Sequence, residues 1–535
     1  YDYLPSLFIH GDLSRNTSPY DSDPDVYKRI EKLGNYLDYE GYKVNKYPVG
    51  PAVLEAPFFL WNLTLTNRSN SDDDGYQPSF HQTIFYAALF YLFLGLYFLK
   101  KLLSCYSIHP LIIAFTQLLI TLGTSITIYA NFDAGYSHIY SFFAITAFIY
   151  FTKTYFDHQK TKHFLWACLF LGLIVILRQV NILILLSVPF LAGSWIALKE
   201  GILNVTRKYK VLSIGLLMFF GVIAIQLLVW FSQTGSWIVY SYQGEGFNFM
   251  KPEILNVLFS YQKGLFIYTP LVFLFVLSAF WLLLKKQIYL GITFLGFFAL
   301  LTYVLASWWA WSYGSSFGMR PYVDYFSILA VPFAIMLHQS SIYFKIIIVI
   351  ISSLTIPLNV IQTYQYKVFI LHWGDMNKDR YWNSFLHTEP QFEGYVWDKS
   401  IDLKEYSKIY SKQIESIEVS TESGPFKFEL LSDSTSFSFK DIRNVRIKAE
   451  NDYNSKLDAR VVIDIFEVKS DRNTFWANTY FFHLSKNPNQ QQVGFYDFRI
   501  QEPQSDSASK LTVSVIPGEF KTTLKNVTIE LYKLK

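Results

Sequence analysis

Cysteine is nearly absent: only Cys105 and Cys168 occur in 535 residues. Both lie in or beside apolar runs, which argues against a disulfide framework and against a thiolate metal cluster. Charge is scarce as well. Asp, Glu, Lys and Arg make up 16% of the chain, whereas a soluble domain carries about 25%, so a wholly soluble protein is excluded. The formal net charge is only +4, and no basic tract stands apart from the short loops, so nucleic acid is not a partner. There is no internal repeat and no low-complexity tract. The chain opens on Tyr1 rather than Met, in what reads as the middle of a motif. An upstream segment is therefore expected to be missing, and with it any targeting signal.

What the chain has instead is apolar surface. Hydrophobic residues make up 51% and aromatic residues 19%. Membrane-crossing helices need apolar runs of roughly 17–25 residues. About ten runs approach that length, near 83–100, 111–130, 137–152, 164–178, 180–197, 211–232, 263–284, 288–306, 323–338 and 344–364. Backbone groups in lipid must find partners within their own segment, so these runs are predicted to be helical. Lys100 and Lys101, Lys153, Lys160 and Lys162, Lys199, Arg207, Lys208 and Lys210, Lys285 and Lys286, and Lys345 all follow odd-numbered runs. Every second loop is thus basic and is placed in the cytoplasm. The remaining loops fall on the outer face.

This divides the chain into four parts. Residues 1–82 form a first outer loop with surface helices and an acidic patch at Asp72, Asp73 and Asp74. Residues 83–366 form the transmembrane domain, and 367–410 a juxtamembrane connector. From 411 to 535 the pattern changes to period two, in "ARVVIDIFEV", "KLTVSVIP" and "KNVTIELYKL". Such runs, separated by Asn, Asp, Ser and Pro, predict a β-sandwich on the outer face. The fold class is therefore mainly α, polytopic and membrane-embedded, with a C-terminal β-sandwich.

The outer loops hold the residues that composition does not explain. In "NKYPVGPAVLEAPFF", Lys46 and Tyr47 meet an apolar run. Lys46 reads as a point charge for a phosphate, or as a lysine snorkelling from an interfacial helix. In "NFDAGYSHIYSFF", Asp133 and His138 sit at a helix start, as a general base or as capping groups. Arg178 interrupts "VILRQVNIL". A charge at membrane depth costs roughly 2.5–3.5 kcal/mol on insertion scales, so it needs a polar partner or a short loop that reaches water. Glu245 stands between two glycines, a turn that presents its carboxylate. Lys263 opens the next apolar run. In "SWWAWSYGSSFGMRPYVDYF", Trp308, Trp309 and Trp311 suit an interfacial belt or a sugar ring. Arg320 suits a bidentate phosphate contact or an ion pair with Asp324. Together these cations suit a phosphate-bearing lipid with a sugar head group. They would neutralise the leaving phosphate, while an acid deprotonates the acceptor hydroxyl.

The ordered set "YLPSLFIHGDL", "NKYPVGPAVLEAPFF", "YSHIYSFF", "GEGFNF", "LFSYQKGLFIYTPL" and "WWAWSYGSSFGMR" resembles bacterial GT-C fold glycosyltransferases of the protein-mannosyltransferase and aminoarabinose-transferase type, over roughly residues 1–375. The resemblance implies inverting transfer of a sugar from a polyprenyl-phosphate donor, at the outer face of the inner membrane, to a protein, lipid or polysaccharide acceptor. Lys46 matches the lysine of the "KYP" or "KPP" motif that contacts donor phosphate. Arg178 matches an arginine between paired spans, and Arg320 the arginine of "SFGxR". The family's key acid is expected upstream of Tyr1, with Asp2 and Asp12 the nearest acids here. A second acid, common at the start of the span matching 137–152, is replaced by Ser137 and His138, with Asp133 shortly before. A missing first span would bring the total to about eleven. No cofactor is implied, although an outer carboxylate could recruit a divalent metal.

Two rival readings are a flippase for the same lipid and a non-catalytic scaffold displaying the β-domain. A flippase needs charge along its spans, whereas charge here concentrates in the loops.

Overall fold

The computed structural model describes residues 1–11, 13, 36–65, 75–374, 376–389, 392, 403–420, 422–451, 459–467, 472–480, 493–500, 510–517 and 522–535. Asp12 and the acidic patch at Asp72, Asp73 and Asp74 lie outside them. Two compact units emerge: Tyr1–Thr363 with Trp373–Asp375, and Tyr364–His372 with Met376–Lys535. The segment expected to be a connector, 367–410, thus falls almost entirely within the second unit.

The first unit is helical. It opens with α1 (Tyr3–Phe8), the hairpin β1 (Tyr36–Tyr39) and β2 (Tyr42–Asn45), and α2 (Gly50–Leu65). There follow α3 (Pro78–Cys105), α4 (Pro110–Leu122), α5 (Ile126–Asn131), α6 (His138–His158) and α7 (Thr161–Leu177). A 3₁₀ segment, Gln179–Ser187, leads to α8 (Val188–Ala192), α9 (Trp195–Arg207) and α10 (Tyr209–Thr234). Then come α11 (Ile254–Phe259), α12 (Leu265–Tyr268), α13 (Pro270–Leu284) and α14 (Ile288–Ala306). A second 3₁₀ turn, Arg320–Tyr325, enters α15 (Phe326–Gln339), followed by α16 (Ile342–Ser353) and α17 (Thr355–Lys367), whose last turn passes into the second unit.

Among the described residues, five helical stretches are long and apolar enough to cross a membrane: Pro78–Cys105, Tyr209–Thr234, Ile288–Ala306, Arg320–Gln339 and Ile342–Lys367. A sixth is reached only if Gln179–Ala192 and Trp195–Arg207, bent by 118°, count as one. Several of the ten or so expected runs are interrupted, and the causes are local. The 111–130 run breaks at Gly123 into α4 and α5. The 180–197 run stops at Gly193, whose φ of +79° suits a glycine at a helix end. Ser194 then caps α9, its Oγ accepting from Ala197 N at 3.1 Å. The 263–284 run breaks ahead of Pro270, which starts α13.

Burial separates centre from periphery. Phe326 to Leu337 of α15 are all buried, as are His138 to Ile149 of α6. A helix apolar all round belongs in a core. By contrast, Leu217 on α10 and Ile346 and Ile350 on α16 are exposed, as lipid-facing helices require. The protein is thus a membrane protein by the composition of its helices.

The second unit contains α18 (Lys378–Ser384) and two four-stranded sheets. One sheet runs in the order β3 (Tyr406–Val419), β10 (Thr522–Leu534), β5 (Asn444–Asn451), β8 (Val493–Arg499). The other runs β4 (Phe426–Leu431), β9 (Lys510–Ile516), β6 (Arg460–Glu467), β7 (Arg472–Tyr480). All pairings are antiparallel. Alternate residues supply one apolar cluster: Val527, Ile529 and Leu531 from β10, Ile447 from β5, Val461, Ile463 and Ile465 from β6, and Val513 from β9. Ile463→Ala is expected to cost about 2–4 kcal/mol, read as a lowered unfolding midpoint of the second unit in the intact protein. An unchanged midpoint would mean that this cluster is not what stabilises the two sheets.

Candidate functional site

The polar centre of the helical unit is built on Asp324, which is fully buried. Its Oδ1 lies 2.6 Å from His138 Nδ1. Its Oδ2 accepts from Arg178 Nη1 at 3.1 Å and from Asn181 Nδ2 at 2.7 Å. Tyr325 then donates its hydroxyl to Asn181 Oδ1 at 3.0 Å. Local geometry brings these groups together. Arg178 caps the end of α7 in extended backbone and leads into the 3₁₀ segment. In a 3₁₀ helix residues three apart eclipse one another, so Arg178 and Asn181 reach the same carboxylate. Asp324 sits in the other 3₁₀ turn, ahead of α15, and His138 starts α6.

Beside this network Arg320 lies over the Tyr136 ring, 4.8 Å from its centroid, a cation–π arrangement. The Arg320 Nε is buried without a hydrogen-bond partner. Tyr129 and Tyr136 both pack against the His138 ring, at 5.0 and 6.0 Å between centroids. Their hydroxyls donate to the carbonyls of Phe317 and Ser315. Lys263 is buried beneath the same 314–316 loop. Its ammonium donates to Gly314 O at 2.8 Å, to Ser316 Oγ at 2.7 Å and to Ser316 O. Asp133 lies within electrostatic reach of Lys263 and Tyr136.

The Lys46 loop docks onto this assembly. Val49 N donates to the buried Gln226 Oε1 on α10 at 2.7 Å. Gly50 starts α2 so close to the end of α7 that an added Cβ would stand 2.4 Å from the Ile176 carbonyl oxygen. Only glycine permits that approach. Lys46 Nζ pairs with Glu245 Oε1 at 2.5 Å and lies 5.3 Å from the Tyr242 ring centroid. Tyr242 joins the layers. Its hydroxyl, pushed up to about 12 by burial, stays neutral near pH 7, and it feels Arg178, Arg320, Tyr47 and Glu245. Tyr47 itself is exposed, and its carbonyl accepts from Tyr3 at 2.7 Å.

No family model, curated protein or solved structure matches the chain. The site therefore rests on its own geometry.

Several sequence expectations change. The ion pair between Arg320 and Asp324, the alternative to a phosphate contact at Arg320, is not among the described contacts of Asp324, which holds Arg178 instead. His138 is buried, with Nδ1 committed to Asp324, so it orients the network rather than facing a substrate as an exposed base. The Lys263 ammonium donates to three acceptors on the 314–316 loop, more than fifty residues along the chain. Trp311 packs against the helical core, while Trp309 is the exposed tryptophan of that loop. Asp2 accepts from the hydroxyls of Tyr36 and Tyr76, and burial raises its carboxyl above the usual carboxylate range. Asp12 lies outside the described residues. Asn181, Tyr242 and Tyr325 were missed. The spacing of Arg178 and Asn181 within an apolar run was the one available signal for this network. Among the described residues no three His, Cys, Asp or Glu side chains are grouped as metal ligands would be.

Removing the Asp324 charge leaves Arg178 with no counter-ion in a nearly dry setting. Asp324→Asn is expected to destabilise the helical unit by about 3 kcal/mol, measured as a lower unfolding midpoint in detergent. Replacing both partners, Arg178→Met with Asp324→Leu, is expected to recover most of that loss. Wild-type stability in Asp324→Asn would show that the pair does not hold these helices together.

Proposed function

We propose that this chain is an integral-membrane glycosyltransferase of the GT-C type, moving a sugar from a polyprenyl-phosphate donor to an acceptor hydroxyl at the outer face of a bacterial inner membrane. One observation carries the reading: Lys46 stands over the Tyr242 ring and pairs with Glu245, 199 residues away, while Arg320 lies over the Tyr136 ring with its buried Nε unpartnered. Cations gathered beside apolar helices suit a phosphate on a lipid tail. The resemblance of Lys46, Arg178 and Arg320 to the cations of that family supports the same assignment.

In this reading the acceptor oxygen attacks the anomeric carbon in line. The new glycosidic bond forms as the bond from sugar to phosphate breaks, and the electron pair leaves with polyprenyl phosphate. Lys46 and Arg320 neutralise the departing phosphate. The acceptor proton goes to a carboxylate, and Asp133, within electrostatic reach of Lys263 and Tyr136, is the acid assigned to take it. Arg178, neutralised by Asp324, shapes the floor rather than carrying the phosphate. The alternation of basic loops supports about ten crossings, with α4, α7 and α13 as short or tilted spans, and an outward-facing C-terminal sandwich. By analogy with other sandwiches, that domain would bind carbohydrate.

The test is transfer by the full chain in nanodiscs, with a panel of polyprenyl-phosphate sugars. Lys46→Ala and Arg320→Ala are expected to lower turnover about a hundredfold or more, with unfolding midpoints unchanged. Wild-type turnover in either variant rejects its role. Absence of transfer from every donor by the unmodified protein rejects the activity.

A further inference from the structure

Lys46 has two neighbours from one loop, Glu245 and Tyr242, and Glu245 is 199 residues away in sequence. The turn that delivers Glu245 is specifically built. Glu245 N donates to Tyr242 O at 2.9 Å, and Gly244 adopts a φ of +73° that a side chain would resist. The Tyr240 hydroxyl donates to Glu245 O at 2.6 Å. Just beyond, the loop is tied to the end of α14. Trp309 N donates to Gly246 O at 3.0 Å, and Asn248 N to Ser307 O at 2.6 Å. From the other side, Ser241 Oγ donates to Lys46 O at 2.9 Å. The backbone on both sides is thus held while the two side chains meet, each about one-fifth exposed (19% and 20%).

A carboxylate and a phosphate present the same thing to an ammonium group: an anionic oxygen that accepts a charge-assisted hydrogen bond. A pair that keeps one-fifth of each side chain in solvent is weak enough to exchange. Beyond their chain neighbours, no heavy atom lies within 4 Å of where a Cβ on Gly244 or Gly246 would stand, so the turn is open on both sides of Glu245. We propose that Glu245 is an internal counter-ion that occupies the anion position on Lys46 and is displaced by the phosphate of an incoming ligand, making Glu245 a determinant of anion affinity. The proposal rests on the reading of Lys46 as a phosphate contact and adds the competitor to it. When the phosphate leaves, Glu245 re-pairs with Lys46, so the ammonium has a partner at both ends of the cycle. Tyr242, neutral beneath the pair, contributes its ring face to the cation in either state.

The experiment is calorimetric titration of the full chain, in nonionic detergent, with dodecyl phosphate as the probe. Glu245→Gln and Glu245→Ala are expected to bind it about fivefold more tightly than wild type, the affinity equivalent of one weak ion pair. Glu253→Gln, on the same loop and hydrogen-bonded to Asn256, is expected to leave affinity unchanged. Unaltered affinity in both Glu245 variants, while wild type binds, overturns the exchange and leaves the phosphate reading standing. An equal gain in Glu253→Gln overturns it too, because the effect is then general charge rather than competition at Lys46. Failure of every form to bind removes the phosphate reading and this proposal together.

Discussion

A single buried carboxylate organises the helical unit. Asp324 stands ahead of α15, Arg178 at the end of α7 and His138 at the start of α6, and the one carboxylate bonds to both of the others. An ion inside an apolar bundle is costly unless its charge is matched and its lone pairs are filled. Oδ1 faces His138, and Oδ2 receives both Arg178 and Asn181. That arrangement ties three helix ends together at one level. The loops that leave those ends inherit their starting positions from it. Tyr136 precedes α6, and Arg320 opens the turn that contains Asp324, so the contact between Arg320 and Tyr136 follows from the placement of the ion pair.

The four cations expected to share one task stand in two different settings. Arg178 is neutralised by Asp324, and Lys263 is consumed by the carbonyls and hydroxyl of the 314–316 segment. These two are structural charges that shape loops. Arg320 keeps a buried Nε without a partner, and Lys46 has a partner that is itself part-exposed. Desolvation explains the split. A buried charge holds its partner because separation exposes both to a low dielectric, whereas a pair at the edge exchanges partners against water at little cost. The cations suited to a ligand are therefore those whose present partners are incomplete or replaceable.

Much of the architecture was legible in sequence because it follows from period and composition. The period-two runs "ARVVIDIFEV" and "KLTVSVIP" contain β6 and β9, and "KNVTIELYKL" is most of β10. The apolar runs coincide with helices, and those breaking the span rule do so at Gly123, Gly193 and Pro270, where local chemistry ends a helix. Residues of the outer loops stood out because charge is rare around them. Their pairing was not legible. Asp324 and Arg178 are 146 residues apart, and nothing local prefers that partner over Arg320, four positions away. Burial also stayed hidden: sequence reads Lys263 and His138 as available groups, and only packing shows them enclosed.

The position of Lys46 illustrates how backbone packing precedes site chemistry. The lysine sits on a short loop between β2 and α2 with no secondary structure of its own. Two contacts fix that loop. Gly50 lets the start of α2 abut the Ile176 carbonyl, one residue from the end of α7, and Gln226 on α10 accepts the Val49 amide. Arg178 directly follows α7, so the approach of Gly50 also sets the height of Lys46 relative to Arg178. A side chain at position 50 would push α2 away from α7 and carry Lys46 with it, without touching any charged group. The spacing of the cations is thus set by a helix contact that contains no charge. A point substitution at Gly50 would accordingly shift Lys46 through geometry alone.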